Sequence, residues 1–343
     1  MHSPTERETI LTAATPQSIE LAGQLLREGQ LVGLPTETVY GLAANALLPE
    51  AVTEIFKVKG RPQDNPLIVH IADVNDIYLL VEDFPESARK LAERFWPGPL
   101  TIIMRKSGLI PSEVTCGQST VAIRFPSHPT AIAVISAAGV PIAAPSANIS
   151  GRPSPTTAEH VMSDIGGKIP LIIDGGACDI GVESTVITVV GEKPCLLRPG
   201  AVTKRQIEAV IGEIDLSPAV LSELERGEEA QSPGMKYRHY SPSAKVTLVR
   251  GSLAAFSEFL ESNASDGTYA LAFEGDETQL PVPCITYGRE GDFSSQAHEL
   301  FSALRKADEL DARRIFARYP EGGEGLAVLN RLLRSAGFDV IEL

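Results

Sequence analysis

The chain has 343 residues, a formal net charge of −14 at neutral pH, and 43% hydrophobic and 6% aromatic residues. That length exceeds one ordinary core and suits two domains, and the acidic balance argues against a broad nucleic-acid-binding surface. No apolar run approaches the ~18 residues of a membrane span, and the opening MHSPTERETI lacks a basic stretch leading into an apolar one. Neither membrane insertion nor a secretory leader is expected, and the protein is placed in the cytoplasm.

Ile19, Leu21, Ala22, Leu25 and Leu26 predict a helix over 18–29 that ends at Gly29. A buried strand at 31–34 runs into PTETVYGL (35–42). Residues 51–56 read as helix, 67–71 as strand, and 87–95 as a helix stopped by Pro97-Gly98-Pro99. Strands follow at 101–104 and 120–125, then a helix at 130–139, then strands at LIIDGG and STVITVV. Strands and helices interleave, with the unusual polar strings at strand ends, which is where an α/β protein places its site.

The first 205 residues carry 17 Lys and Arg against 21 Asp and Glu, whereas 206–343 carry 13 against 23. Three regions are expected: a catalytic domain over 1–205, a linker over 206–243, and a small Rossmann-like α/β domain over 244–343. The linker is acidic, then rich in Pro and Gly, then ends in MKYRHY (235–240). GGEG at 322–325 does not follow a dinucleotide-binding pattern and reads as a helix N-terminal turn. Cys116, Cys178, Cys195 and Cys284 stand far apart. They are expected to be reduced thiols, since zinc sites need paired ligands.

KVKGR places Lys57, Lys59 and Arg61 within five residues. Extended backbone would put all three on one side, and helix would put only Lys57 and Arg61 on a shared face. Arg124 and Arg198 lie in apolar strands, where an unpaired charge is unfavourable. Several arginines entering at strand ends point to an anionic ligand, because the guanidinium grips phosphate with two donors and stays charged when dehydrated. Thr36, Thr38, Ser146, Asn148, Ser150, Ser154, Ser184 and Thr185 would each serve as turn caps, and together they suggest a cradle of small donors. His70 reads first as a core histidine. No paired nucleophile and base, metal-ligand spacing or P-loop is present. That leaves catalysis by positioning and charge stabilisation, as in nucleotidyl transfer.

These strings resemble the YrdC-type threonylcarbamoyl-adenylate synthases in their long, two-domain form, over essentially 15–343. Lys59-Gly60-Arg61 stands for the KxR signature and Ser146-Ala147-Asn148 for its SxN partner. PTETVYGL, DNPLIVHI, WPGPLT, AIRFP, SPGMKYRHYSP and RRIFARYP…GLAVLNRLLRSA also match. The resemblance implies an α/β fold: a YrdC-like twisted mixed-sheet domain plus a smaller Rossmann-like C-terminal domain. It implies that L-threonine, bicarbonate and ATP are joined into L-threonylcarbamoyl-AMP with release of pyrophosphate. The product would feed the N6-threonylcarbamoyladenosine modification of tRNAs reading ANN codons, through a downstream threonylcarbamoyl transferase. By the same resemblance, Thr38, His70, Arg124, Ala144 and Ser184 would line the threonine side. Arg61, Asn65, Thr120, Ser146, Ser154 and Arg198 would hold ATP, with Lys57 and Lys59 as secondary phosphate candidates. Tyr240, with Tyr237 as second choice, would be the nucleotide contact of a linker that closes over the pocket. Mg²⁺ would come with the ATP, without protein side-chain ligands. The alternative is a non-catalytic RNA-binding module. A hydrogenase-maturation carbamoyltransferase would need additional domains with paired cysteines. The C-terminal domain reads as a scaffold for the lid.

Overall fold

The computed structural model describes residues 8–222, 239–321 and 325–343. The chain opens with β1 (Ile10–Ala13), α1 (Pro16–Arg27), β2 (Val32–Leu34), β3 (Gly41–Asn45), α2 (Pro49–Lys59) and β4 (Ile68–His70). It continues through α3 (Ile77–Leu80), α4 (Glu86–Phe95), β5 (Leu100–Arg105), α5 (Ser112–Thr115), β6 (Thr120–Arg124), α6 (Pro129–Ala138) and β7 (Ile142–Ala143). Next come α7 (Ala158–Ile165), β8 (Leu171–Asp174), β9 (Thr185–Thr188), β10 (Cys195–Arg198), α8 (Lys204–Ile211) and β11 (Asp215–Leu216). The last part holds β12 (Lys245–Arg250), α9 (Leu253–Asn263), β13 (Thr268–Ala272), β14 (Cys284–Thr286), α10 (Phe293–Glu309), β15 (Arg314–Arg318), α11 (Leu326–Ala336) and β16 (Val340–Glu342).

Among the described residues, the first eleven strands form one mixed sheet, ordered β1-β8-β2-β3-β7-β4-β6-β5-β9-β10-β11. The remaining five form a parallel sheet, ordered β14-β13-β15-β12-β16. In the smaller sheet, α9 covers one face through Phe256 and Leu260. On the other face α10 and α11 pack through Leu300, Phe301, Leu304, Val328 and Leu332. This second layer is also the domain interface, because the same cluster takes in Val39 and Val182 of the first domain. Residues 206–216 correct part of the expected linker. They form most of α8 and then β11, which pairs in parallel with β10 and extends the large sheet. Thr203 and Gln206 form a capping box that starts α8, so a helix begins where acidic composition suggested a solvated tether.

Register matters most near the middle of the large sheet. His70 of β4 pairs with Arg124 of β6, Arg124 with Thr101 of β5, Thr101 with Val186 of β9, and Val186 with Arg198 of β10. Residues opposite one another across strands share a face. One row across five strands therefore aligns a histidine, two arginines and a threonine. Two residues along, Ile68, Ala122 and Ile103 pack with Val186 and Leu197 as an apolar floor. A bulge between Leu196 and Arg198 brings Arg198 into the row. Without the extra residue Leu197 would stand opposite Val186, so the bulge re-aims the arginine.

Candidate active site

The row forms one wall of a small cavity. The remaining walls come from the loop after β2 (Thr38, Val39), the end of α2 (Lys59, Arg61), and the 144–152 loop (Ala144, Ser146, Asn148, Arg152). The loop before β9 adds Glu183 and Ser184, and the chain leading into the second domain adds His239 and Tyr240. A larger, open hollow of about 1150 Å³ lies elsewhere, but Glu8, Glu28, Glu50 and Glu54 line it. Lys57 and Lys168 offset only two of these four carboxylates, which leaves the hollow net negative, so the smaller cavity is the one whose charges fit an anion.

The KxR and SxN strings meet here. α2 runs through Lys59 and stops at Gly60, whose φ of 60° is the left-handed conformation that glycine adopts without penalty. Helical geometry sets Lys57 and Lys59 about 200° apart. Lys59 therefore points in, and its Nζ donates to the carbonyls of Ser146 and Asn148, each at 2.5 Å. Burial, reinforced by the nearby Arg61 charge, pushes its pKa well below the ordinary lysine value. Lys59 is a strut for the Ser146–Asn148 loop. Lys57 is exposed, pairs with Glu54 at 3.0 Å, and lines the acidic hollow instead. Its expected phosphate role and its shared face with Arg61 are both corrected, because Gly60 turns the chain before Arg61.

Arg61 donates through Nη2 to the carbonyls of Asn65 (3.1 Å) and Pro66 (3.2 Å). Arg198 donates through Nε to the Ser184 carbonyl (3.0 Å) and through Nη2 to Ser184 Oγ (3.1 Å). Burial lowers both guanidinium pKa values to about 10, which leaves both cationic at neutral pH. Arg124 Nη2 lies 2.7 Å from Glu37 Oε1, in a buried ion pair too oblique for a hydrogen bond. Both Glu37 carboxylate oxygens and Arg124 Nη2 are left without hydrogen-bond partners. His70 Nδ1 lies 3.2 Å from the Ile68 carbonyl, which assigns the proton to Nδ1 and leaves Nε2 an acceptor. Burial, then the Arg124 charge, lower its pKa to about 3, so the ring is neutral.

Thr38, His70, Arg124, Ala144, Ser184, Arg61, Ser146, Arg198, Lys59 and Tyr240 all line the cavity. Besides Lys57, three expected ligand contacts stand outside its wall. Asn65 supports Arg61 through its carbonyl. Ser154 Oγ donates to Glu183 Oε1 at 2.5 Å. Thr120 shares the Arg124 face of β6, but four residues away, ~13 Å along the strand. Tyr237 and most of MKYRHY lie outside the described residues, as do Gly322, Gly323 and Glu324 of GGEG. Tyr240 sits in the left-handed region (φ 61°), an unusual backbone for an aromatic residue. It packs on Phe301 with ring centroids 5.1 Å apart. Motif reading missed Thr101, whose Oγ1 is 2.8 Å from Ser184 Oγ, and Glu37, Glu183 and Arg331. Only strand register brings Thr101 beside Arg124.

Residues 24–200 match the Sua5/YciO/YrdC family model, described as telomere recombination. Residues 202–337 match a model described as the C-terminal domain of threonylcarbamoyl-AMP synthase. A threonylcarbamoyl-AMP synthase of Bacillus subtilis is 46% identical over 337 residues, 96% of each chain. One from Pyrococcus abyssi is 46% identical over 336 residues, covering 95% of this chain and 96% of that one. The chain belongs to the threonylcarbamoyl-AMP synthase family. The crystal structure of P. abyssi Sua5 complexed with L-threonine superimposes with a TM-score of 0.90 at 44% identity, over 98% of this chain and 100% of that one. Among the described residues of this synthase-family chain, no helix is long and apolar enough to cross a membrane. Nor, among the same residues, is any group of three or more His, Cys, Asp or Glu placed to hold a metal ion.

Proposed function

We propose that this protein joins L-threonine, bicarbonate and ATP into L-threonylcarbamoyl-AMP and releases pyrophosphate. The observation that carries this reading is the His70–Arg124–Thr101–Arg198 row facing Arg61 across one cavity, which gathers three fixed arginine cations at one site. Threonine's amine condenses with bicarbonate, losing water, and gives a carbamate. A carbamate oxygen then attacks the α-phosphorus of ATP, and the bond to the β-phosphate breaks as pyrophosphate leaves. Two anions must meet, so the barrier falls mainly through charge stabilisation and alignment. Arg124, a buried cation on the cavity wall, takes the threonine carboxylate. Neutral His70 offers an acceptor, Thr38 and Ser184 bond polar groups of threonine, and Ala144 leaves room for its methyl. Arg61, Ser146 and Arg198 hold the nucleotide, and Asn65 and Ser154 act by holding Arg61 and Glu183. Magnesium arrives as part of the MgATP substrate. Glu183, a carboxylate that lines the cavity, already accepts from Ser154 and Arg331.

The void between these residues is about 60 Å³. Small-molecule pockets span roughly 300–1,000 Å³. Tyr240 and His239 close this void, so they must withdraw to admit ATP and can then return over it. A lid that excludes water protects a labile carbamate and strengthens the charge interactions. The product serves N6-threonylcarbamoyl modification of tRNAs reading ANN codons, with transfer done by separate machinery. Incubation with ATP, L-threonine and ¹³C-bicarbonate, followed by mass spectrometry, should show a labelled threonylcarbamoyl-AMP. Unlabelled or absent adduct from folded protein would refute the reading.

A further inference from the structure

A side chain of the second domain bonds a residue that walls the cavity. Arg331 on α11 is fully buried and makes four bonds with charged or polar partners. Its Nε donates to Glu183 Oε2 at 2.9 Å, and its Nη2 to the Glu183 carbonyl at 3.2 Å. Its Nη1 donates to the Pro199 carbonyl at 2.5 Å and to Asn330 Oδ1 at 3.2 Å. Its guanidinium carbon lies 5.8 Å from the Tyr240 ring centroid. Glu183 precedes Ser184, and Pro199 follows Arg198. The two segments touch backbone to backbone, since a Cβ on Gly200 would fall 2.4 Å from the Thr185 nitrogen. Glu183 also receives the Ser154 hydroxyl. One guanidinium therefore fixes the residues flanking Ser184 and Arg198, and it lies beside the aromatic side chain that covers them. Lysine could not copy this, because its ammonium cannot reproduce the planar fork that serves three carbonyl and carboxylate groups together.

We infer that Arg331 is a positioning residue of the active site, setting the 183–185 and 198–202 segments and the seat of Tyr240 so that Ser184 and Arg198 meet the substrates correctly. The inference rests on the proposed function of the cavity, and it makes the second domain part of the catalytic apparatus as well as a support for the lid.

The test uses the full chain as wild type, Arg331→Lys, the double variant Arg331→Met/Glu183→Met, and Arg334→Met as a neighbouring buried-arginine control. The double variant removes the ion pair without leaving one charge buried alone, so it retains the fold. Two readouts are needed. The first is amide hydrogen exchange in ligand-free protein at Thr185 and Val202, whose N–H groups bond Pro99 O and Thr185 Oγ1. The second is the Michaelis parameters of threonine-dependent pyrophosphate release. Arg331→Lys and the double variant should exchange roughly tenfold faster at those amides. They should also lose about 100-fold in kcat/KM for ATP, the scale of a small misplacement of binding groups. Arg334 donates through Nη2 to the Ala219 carbonyl at 2.7 Å, so Arg334→Met should lower Tm without either change. Wild-type exchange at both amides in folded Arg331→Lys and in the double variant would overturn the inference, leaving Arg331 a plain interdomain bond. If the wild type itself releases no pyrophosphate, the proposed function fails, and the exchange comparison alone decides the role of Arg331.

Discussion

Replacing His70 with Gln should remove a defined part of this fold's sensitivity to acid. In the folded protein the imidazole has its pKa lowered to about 3 by burial and then by Arg124, against an ordinary value of 6.5. The unfolded chain therefore binds a proton below pH 6.5 that the folded chain refuses. Stability from this group is fully present above pH 6.5 and is lost as pH falls toward 3. Each pH unit within that window removes about 1.4 kcal/mol, so the loss at pH 5 is about 2 kcal/mol. Urea unfolding at pH 7.5, 6, 5 and 4.5 measures it. Glutamine can keep the donor to the Ile68 carbonyl but does not titrate. The variant should start below the wild type at pH 7.5, and the gap should narrow by about 2 kcal/mol at pH 5. His160, half-buried and also shifted down by burial, titrates in both proteins and cancels in the comparison. Parallel stability curves from pH 7.5 to 4.5 would refute the assignment of a neutral, desolvated His70.

Three further substitutions probe the frame. Gly181 has φ 84°, and a Cβ there would lie 2.4 Å from the Ala297 carbonyl of α10. Gly181→Ala adds left-handed strain to interdomain overpacking and should cost about 2–5 kcal/mol in denaturant unfolding. Arg305 of α10 holds buried Asp164 at 2.8 Å and donates to the Pro153 carbonyl at 2.6 Å. Arg152 also pairs with Asp164, at 3.1 Å, so Arg305→Met should destabilise by about 2 kcal/mol, less than a fully unpaired buried charge, and adding Asp164→Leu should restore part of that in the same assay. Thr101→Val keeps the shape of the strand but removes one of the two partners of Ser184 Oγ described above, leaving Arg198. It should lower kcat/KM for threonine roughly tenfold while changing Tm little, since one hydrogen bond is worth about 1 kcal/mol.

Much of the large domain was legible because its strands are apolar runs that end in polar strings, and Arg124 and His70 could be placed at strand ends from that alone. Adjacency across strands was not legible. Thr101 stands beside Arg124 only through antiparallel register, and Arg198 reaches the row only through a bulge. Lys57 was misread because helix or extended backbone could each follow from KVKGR; the helix runs through Lys59 and so sets the two lysines on opposite sides, and the left-handed turn at Gly60 redirects Arg61. The start of the linker was misread because acidic composition says nothing about pairing with β10. Arg331 did leave a signal. It stands three residues after Val328 and four after Ala327, both buried, so helical spacing put it on the inward face. An arginine on an apolar stripe calls for buried partners, and its partners, Glu183 and Pro199, lie more than a hundred residues away.

The central claim is tested most directly by pyrophosphate release from ATP with bicarbonate present, comparing L-threonine with L-serine, glycine and no amino acid, in wild type and Arg61→Ala. Recognition of both the hydroxyl and the methyl predicts that only threonine supports full turnover, with the hydroxyl the stronger discriminator against glycine. It also predicts that release requires bicarbonate and falls by at least about 100-fold when Arg61 is removed. Release that is independent of threonine or of bicarbonate, or that survives Arg61→Ala unchanged, would contradict the account.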